Sequence, residues 1–569
     1  MRSDLVKKLA ARCLTAGLAL LAFLLLALSE AQAWGLGLAV AAVGAAWVER
    51  QINVRAELVA EPILLAAGIL VAYARQFPDG IHWPLALAGV ALLGLILIER
   101  PLGQATGLEL QGANLAVRSW PALVSAHLST AILVLLAGLA ASAAVAAPAW
   151  PAMAVTLLTG LVVAGVVAGV ALRRLKPSAA RSPVARALRR YEPEFLLYFS
   201  APPGSEYQVL MWLPYLERLG RPFFVLLREP GFLPVISAAT SAPVVYCPTL
   251  RSLDEAIVPS VRVAFYVNHG AQNSHCVRFR QITHIQLHHG DSDKSPSANP
   301  ASAIYDKIFV AGQAAIDRYA RSGVSIPREK FAIVGRPQVE AVVGPRGEIR
   351  ELTDPVVLYT PTWTGHHADA NYCSLPIGAA LVERLLARGV TVILRAHPYT
   401  SQNPESARQL ARIEELLSAD RLRTGRSHIW GDRAATKMTL VECINRSDAL
   451  ISDVSGVVSD YLFSGKPYAL TDMVDTGERF EADFPLACGG YVLRTNLSNA
   501  DEVLDLLLGE DPLAETRRVL RTDYLGDFPA EDYAEAFLAE ARRHLDSPAA
   551  TAPVPRSPAE SAADAVTSP

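Results

Sequence analysis

The pattern of apolar and polar positions divides the chain near residue 175. Before that point six long apolar stretches follow one another, at 12–30, 32–48, 57–74, 81–98, 121–146 and 149–172, with charges gathered mostly in the gaps. Most approach the roughly 20 residues that carry an α-helix across a bilayer, and the second and third fit that length least well. Residues 1–175 are therefore expected to form an α-helical transmembrane region of about six helices.

After residue 195 the pattern alternates. Short apolar or β-branched runs at 195–200, 222–227, 244–247, 262–267, 282–287, 307–310 and 331–334 read as buried parallel strands, separated by helix-like stretches such as 207–219 and 314–321. A second series runs through 356–359, 390–395, 428–430, 449–452 and 468–471, with helical patterns near 377–387, 407–418, 436–445 and 457–464. Between the two, 344–355 is rich in charge, Gly and Pro, as a linker would be. Two sets of βα units predict an α/β architecture of two doubly wound, Rossmann-like lobes, at 195–345 and 355–545, with a cleft between the carboxyl ends of their sheets. Residues 176–194 read as a basic linker ahead of the first lobe. Residues 546–569 are nearly all Pro, Ala, Ser, Thr, Asp and Glu, and are expected to be a disordered tail because they cannot bury enough apolar surface to offset ordering entropy.

Charge adds an orientation. Arg2, Lys7 and Lys8 precede the first apolar stretch, Arg50 and Arg55 separate the second from the third, and Arg100 and Arg118 the fourth from the fifth. The alternate gaps hold Glu30, then Arg75 with Asp79, then no charge around Pro148 and Pro151. Seven basic residues and no acidic one lie between Arg173 and Arg190. By the positive-inside rule both termini and the soluble region are expected in the cytoplasm of a multi-pass cell-membrane protein, the basic run facing an anionic lipid bilayer. Lys7, Lys8, the apolar run and Ala31-Gln32-Ala33 also fit a secretory signal peptide, whose removal would leave five spans and the soluble region still inside. The net charge of −3 leaves no footprint for nucleic acid. Cys13 lies in an apolar stretch, and Cys247, Cys276, Cys373, Cys443 and Cys488 are scattered without a Cys-x-x-Cys pair, against a disulfide framework or zinc ribbon.

Three segments place polar residues just after expected strands, where open α/β sheets build ligand sites. In the first, His288, His289 and Gly290 follow 282–287, with Lys294 behind. An imidazole there suits proton abstraction from a hydroxyl, Gly290 permits a tight turn and close approach of a substrate, and Lys294 suits a phosphate. Hydrogen-bonding of the turn by His289 is the plainer reading, and His288 reads as structural. Two adjacent histidines without a third ligand are weak evidence for metal. In the second segment Arg395 and His397 end the run 390–394, and alternate residues of an extended chain point the same way, so both can meet one pyrophosphate, Arg395 to stabilise charge and His397 either as the catalytic donor of a proton to the leaving nucleotide or to hold its phosphate. A buried arginine paired with a carboxylate is the alternative. In the third, Asp453 and Ser455 stand between the strand 449–452 and a helix, placing backbone N–H groups at a natural phosphate site, or simply capping that helix. Asp460 suits a ribose, an acceptor hydroxyl or Lys466. Pro361, Thr362 and Trp363 follow the first strand of the second lobe and are candidates to line the cleft, Trp363 being equally suited to a core.

In order and approximate spacing, Gln286-x-x-His289-Gly290-x-x-x-Lys294, Tyr359-x-Pro361-Thr362-Trp363, Arg395-x-His397-Pro398 and Ser452-Asp453-x-Ser455, with Asp460-Tyr461 and Gly465-Lys466-Pro467, resemble the CDP-glycerol glycerophosphotransferase family, the teichoic-acid primases and polymerases. The resemblance spans about 195–510. It implies a GT-B fold, a CDP-glycerol or other CDP-polyol donor, a membrane-linked polymer or lipid-linked acceptor, and release of CMP. It also implies His289 as base, with the segments around His397 and Ser455 contacting the diphosphate and nucleotide; a divalent cation is left open. The chain departs from the family pattern at His288, Thr364, Gly335-Arg336-Pro337-Gln338 and Gly456, and the multi-span N-terminus is atypical. Two other readings share the same lobes: a GT-B glycosyltransferase using a nucleotide sugar, and a binding module without catalysis in a cell-envelope assembly.

Overall fold

The computed structural model describes residues 2–52, 60–76, 83–106, 110–117, 120–148, 150–174, 182–294, 297–365 and 371–547. Arg55, Asp79, Arg118, Lys176 and Arg181 of the basic run, and the expected tail beyond Ser547 lie outside these residues. The chain divides into two compact units, Met1–Arg190 with Tyr246–Ile257, and Tyr191–Val245 with Val258–Pro569.

The first unit contains α1 (Arg2–Leu28), α2 (Gln32–Ile52), α3 (Ala60–Ala74), α4 (Trp83–Thr106), α5 (Trp120–Ala144) and α6 (Trp150–Arg174). Six helices were expected, but the described residues hold four stretches long and apolar enough to cross a membrane: Leu9–Leu28, Trp83–Gly103, His127–Ala144 and Trp150–Gly169. The described part of α3 has 15 residues, about 22 Å of helix, and α2 is diluted by Gly35, Gly37 and Gly44 and carries Glu49 and Arg50 near its end. Glu49 and Glu61, buried among these helices, are paired with Arg12 at 3.5 and 2.9 Å, and the half-buried Arg50 reaches Glu99 at 2.7 Å. Within the expected basic linker, Pro183–Tyr191 forms a helix whose Val184, Ala185, Ala187 and Leu188 are buried.

The second unit carries two sheets. Strands of the first are β1 (Phe195–Phe199), β2 (Phe223–Leu227), β3 (Val244–Tyr246), β4 (Val263–Tyr266), β5 (Thr283–Gln286), β6 (Lys307–Val310) and β7 (Phe331–Ile333), running in the order β3-β2-β1-β4-β5-β6-β7. Neighbours from β2 to β7 are parallel, with Phe195 opposite Phe223 on one side and Val263 on the other. The second sheet is built from β8 (Val356–Thr360), β9 (Thr391–Leu394), β10 (Ala449–Ser452), β11 (Tyr468–Asp472) and β12 (Tyr491–Arg494), in the fully parallel order β9-β8-β10-β11-β12. Both are doubly wound, the GT-B-like architecture expected, and each has a switch point where strand order reverses: between β1 and β4 in the first lobe and between β8 and β10 in the second.

Most strands fall within a residue or two of the expected runs because fully buried parallel strands are near-continuous apolar stretches. Residues 428–430 give only an isolated bridge, Ile429 to Ile393, and β12 was not foreseen. The final helix, Glu535–Asp546, was assigned to the second lobe. Its apolar stripe, Phe537, Leu538, Ala541 and Leu545, packs instead into the first lobe's core, with Phe537 5.1 Å from the Trp212 ring centroid.

Candidate active site

The His289 segment is shaped by β5's last residue. Gln286, fully buried, donates from Nε2 to the Asn268 carbonyl (2.8 Å) and accepts the backbone N–H of His288 (3.1 Å). His288 adopts φ 58°, a left-handed conformation unusual for a side chain larger than glycine, and its carbonyl accepts the Trp212 indole N–H at 2.6 Å. The sharp turn thus falls at His288, not at Gly290 as expected. Gly290 contributes space: a methyl group placed on it would meet nothing within 4 Å.

The turn brings the His289 ring back onto β4, with Nδ1 2.7 Å from the Val267 carbonyl. A carbonyl only accepts, so Nδ1 carries the proton and Nε2 keeps its lone pair. Burial, with Arg336 adding to it, holds the His289 pKa below the usual histidine value. This is a neutral imidazole prepared to accept a proton.

His397, which ends the extended run after β9, is arranged the other way round. Its Nδ1 accepts the Tyr399 backbone N–H at 3.1 Å, which leaves Nε2 as the protonated nitrogen. The ring stacks on Trp363 at a centroid distance of 6.0 Å and meets Tyr399 edge-on at 5.2 Å. Burial pushes its pKa down to about 4, with Lys294 and His289 adding to the effect. Tyr207 stands edge-on to both histidines, 6.1 Å from His289 and 6.4 Å from His397. Lys294 reaches the same cleft: Nζ lies 3.5 Å from Thr362 Oγ1 and 5.0 Å from the Tyr372 ring centroid. Burial lowers its pKa, against an opposing pull from Asp453.

The second lobe's switch point supplies the facing wall. Thr360 at the end of β8 donates to Ser452 at the end of β10 (2.8 Å), so the loops that follow them lie side by side. Asp453 was expected to contact nucleotide or cap a helix. It is fully buried and accepts from Thr362 N (2.6 Å), Ser374 N (3.1 Å) and Thr471 Oγ1 (2.7 Å), which makes it the anchor of the Pro361–Trp363 loop. Ser455 does stand at the N-cap of helix Gly456–Leu462, but its hydroxyl pairs with Ser452 (3.2 Å) and makes no bond to the helix N–H groups.

Two further expectations are corrected. Arg395 and His397 do not converge on one ligand position: the Arg395 guanidinium turns to the backbone carbonyls of Ala434 and Met438, the latter at 2.8 Å. Asp460 meets neither a cleft hydroxyl nor Lys466. It forms a buried two-point ion pair with Arg336, in which Nη2 is 3.1 Å from Oδ2, while Lys466 Nζ donates to the carbonyls of Ile444 (3.0 Å) and Ser447 (2.8 Å).

Arg336 belongs to the first lobe and Asp460 to the second, so their pair is one of several bonds across the cleft floor. Ser459 Oγ donates to the Asp291 carbonyl at 2.6 Å, and a methyl on Gly456 would lie 3.2 and 3.3 Å from the Asp291 backbone. Asp293 accepts Leu486 N (3.0 Å) and the Tyr524 hydroxyl (2.8 Å), while Arg318 pairs with Asp291 and lies 3.5 Å from Asp293. At the other rim, Ser205 and Tyr399 share a hydroxyl–hydroxyl hydrogen bond. Sequence reading met Arg336 as a departure from the family pattern and missed Tyr207, Tyr399, Asp291, Asp293 and Arg318 as parts of this region. Only the position of Asp291 and Asp293 beside the histidine motif signalled any of them. No three or more His, Cys, Asp or Glu side chains among the described residues are grouped to hold a metal ion.

Residues 255–478 match the family described as CDP-Glycerol:Poly(glycerophosphate) glycerophosphotransferase. No curated protein matches the chain. Solved structures similar to it include the wall teichoic acid polymerase TagF, 13% identical over 66% of this chain and 96% of that one with a TM-score of 0.41. A glycosyltransferase from Rickettsia africae is 11% identical over 63% of this chain and 99% of that one, with a TM-score of 0.40. A putative UDP-N-acetylglucosamine 2-epimerase from Listeria monocytogenes is 14% identical over 62% and 96%, with a TM-score of 0.41.

Proposed function

We propose that the chain, whose residues 255–478 match the CDP-glycerol glycerophosphotransferase family, transfers glycerol phosphate, or a related polyol phosphate, from a CDP-activated donor to a hydroxyl of a membrane-linked cell-wall polymer such as a teichoic acid. The apolar helices of the first unit anchor the enzyme, and the reaction runs on the cytoplasmic face, where nucleotide-activated donors are made. His289 Nε2 takes the proton of the acceptor hydroxyl. The freed oxygen attacks the β-phosphorus of the CDP-polyol, a new P–O bond forms, and the bond from that phosphorus to the CMP oxygen breaks. His397 Nε2–H and the Lys294 ammonium stabilise the negative charge that grows on the transferred phosphate and on CMP. Asp453 acts one step removed, by holding the loop that carries Trp363 against His397.

One observation carries this reading. Two histidines from different lobes meet at Tyr207 with opposite tautomers, one presenting an acceptor and the other a donor. The test uses full-length protein in membranes with CDP-glycerol and a membrane-linked acceptor. CMP release with incorporation of glycerol phosphate is expected, reduced on the order of 10²–10⁴-fold in His289→Ala. Undiminished transfer in that variant removes His289 as the base. Turnover of UDP- or GDP-sugars with none of CDP-polyols replaces the transferase reading with the glycosyltransferase one.

A further inference from the structure

Behind the His289 turn lies a cavity of about 30 Å³, bounded by the ends of β5, β6 and β7 and by helix Gln313–Arg321. Arg318 enters it from the helix, 3% exposed, with Nη1 on Asp291. Its Nε and Nη2 have no hydrogen-bond partner among the described residues, and neither has Asp291 Oδ2. Arg318 Nη2 is 3.5 Å from Asp293 Oδ1, close enough for attraction but making no hydrogen bond. Buried polar groups left in this state are costly, and native sites seldom tolerate several together. Trp212, Phe309 and Tyr319 give the cavity apolar walls, and it reaches the surface at the half-buried His288 and Gly290.

The idle groups define what fits. A guanidinium with two nitrogens free to donate stands beside a carboxylate with a free acceptor oxygen. An anion would be repelled by Asp291 and a cation by Arg318. Neutral hydroxyls satisfy both: their oxygens accept from Arg318, an O–H donates to Asp291, and their C–H groups lie on the aromatic walls. A volume of about 30 Å³ holds roughly two water-sized groups, which matches a pair of hydroxyls and is too small for a phosphate. We propose that this cavity binds hydroxyl groups of the acceptor polyol that adjoin the one His289 deprotonates, immediately behind the His289 turn. The assignment to the acceptor rests on the reading of His289 as the acceptor-side base.

The test uses the full chain in detergent, with glycerol and ribitol as probes in saturation-transfer NMR. Ala315→Leu fills the cavity from the helix, and Ala311→Val fills it from the end of β6; neither replaces Arg318 or Asp291. A variant whose melting matches wild type is used. Saturation transfer to the polyols is expected in wild type and lost in the filled variant. Equal signals in both, or none in wild type, overturn the proposal and leave the cavity to water. CDP-glycerol turnover is followed in the same preparations. Its absence in wild type defeats the transferase reading while the NMR result still decides whether the cavity takes a polyol. Where turnover is present, the filled variant should raise the acceptor KM about tenfold or more, a loss of roughly 1.4 kcal/mol, with the donor KM unchanged. An equal change in both constants overturns the assignment to the acceptor.

Discussion

His289 and His397 are held by opposite hydrogen-bond polarity: His289 Nδ1 donates to the Val267 carbonyl at 2.7 Å, whereas His397 Nδ1 accepts the Tyr399 N–H at 3.1 Å. The reactive Nε2 atoms therefore present a lone pair on one lobe and a proton on the other. If these roles hold, His289→Ala and His289→Gln should both lower kcat severely, since neither restores a base. His397→Gln should retain more activity than His397→Ala, because an amide still offers an N–H. Single-turnover CMP release separates the cases, and equal losses in the two His397 variants would remove its role as donor.

The pH dependence has a definite sign. A base must be neutral to act, so activity is present above the pKa of His289 and lost as pH falls through it, and burial sets that value below 6.5. The profile of kcat/KM should be flat near neutrality and decline only on the acid side of 6.5. Stability follows the same direction. His269 and His397 are held at about 4 by burial, while in the unfolded chain they titrate near 6.5. Between those values the unfolded state binds more protons, so the melting temperature should fall as pH is lowered from 6.5 towards 4. A melting temperature that is level over this window would contradict the burial of these imidazoles in the neutral form.

The Arg336–Asp460 pair joins the lobes out of contact with water. Asp460→Ala leaves the Arg336 charge without its partner and should cost about 3–5 kcal/mol, whereas the paired replacement Arg336→Met with Asp460→Leu should recover much of that loss. Denaturant melts of the full chain give the comparison. Because Arg336 also depresses the proton affinity of His289, the paired replacement should move the acid limb of the activity profile to higher pH.

Gly456 and Gly290 face each other across the lobe boundary but differ in what they tolerate. A side chain on Gly456 meets the Asp291 backbone at 3.2 Å, so Gly456→Ser should destabilise by about 1–3 kcal/mol. Gly290→Ala meets nothing and should leave melting unchanged. It should instead raise the KM of a substrate that uses the space. Thermal melts and steady-state kinetics on the two variants decide this.

Much of the architecture was legible before any coordinates. Parallel strands buried on both faces are written as apolar runs, which is why β1, β2, β6, β10 and β11 lie where the pattern put them. β12 was missed because Tyr491–Arg494 is a short edge strand whose last residue is exposed. In the first unit helix formation followed from composition, and four of the described stretches are long and apolar enough to cross a membrane. The histidines were legible as candidates because strand ends concentrate ligand contacts. Their tautomers were not, since those depend on Val267, 22 residues away in sequence, and on the local fold of Tyr399.

What the sequence by itself determined is therefore local: the apolar periods, the strand ends, and the motifs that follow them, all set by neighbours within one element. The tertiary structure alone decided which polar side chains face the cleft. Asp453, Asp460 and Arg395 carry the chemistry of ligand contacts, yet each is taken up by a partner brought near only by folding: Thr362 for Asp453, 91 residues away, Arg336 for Asp460, 124 residues away, and Met438 for Arg395, 43 residues away. A buried charge or donor must be satisfied by whatever packing supplies, and spacing along the chain holds no record of that partner.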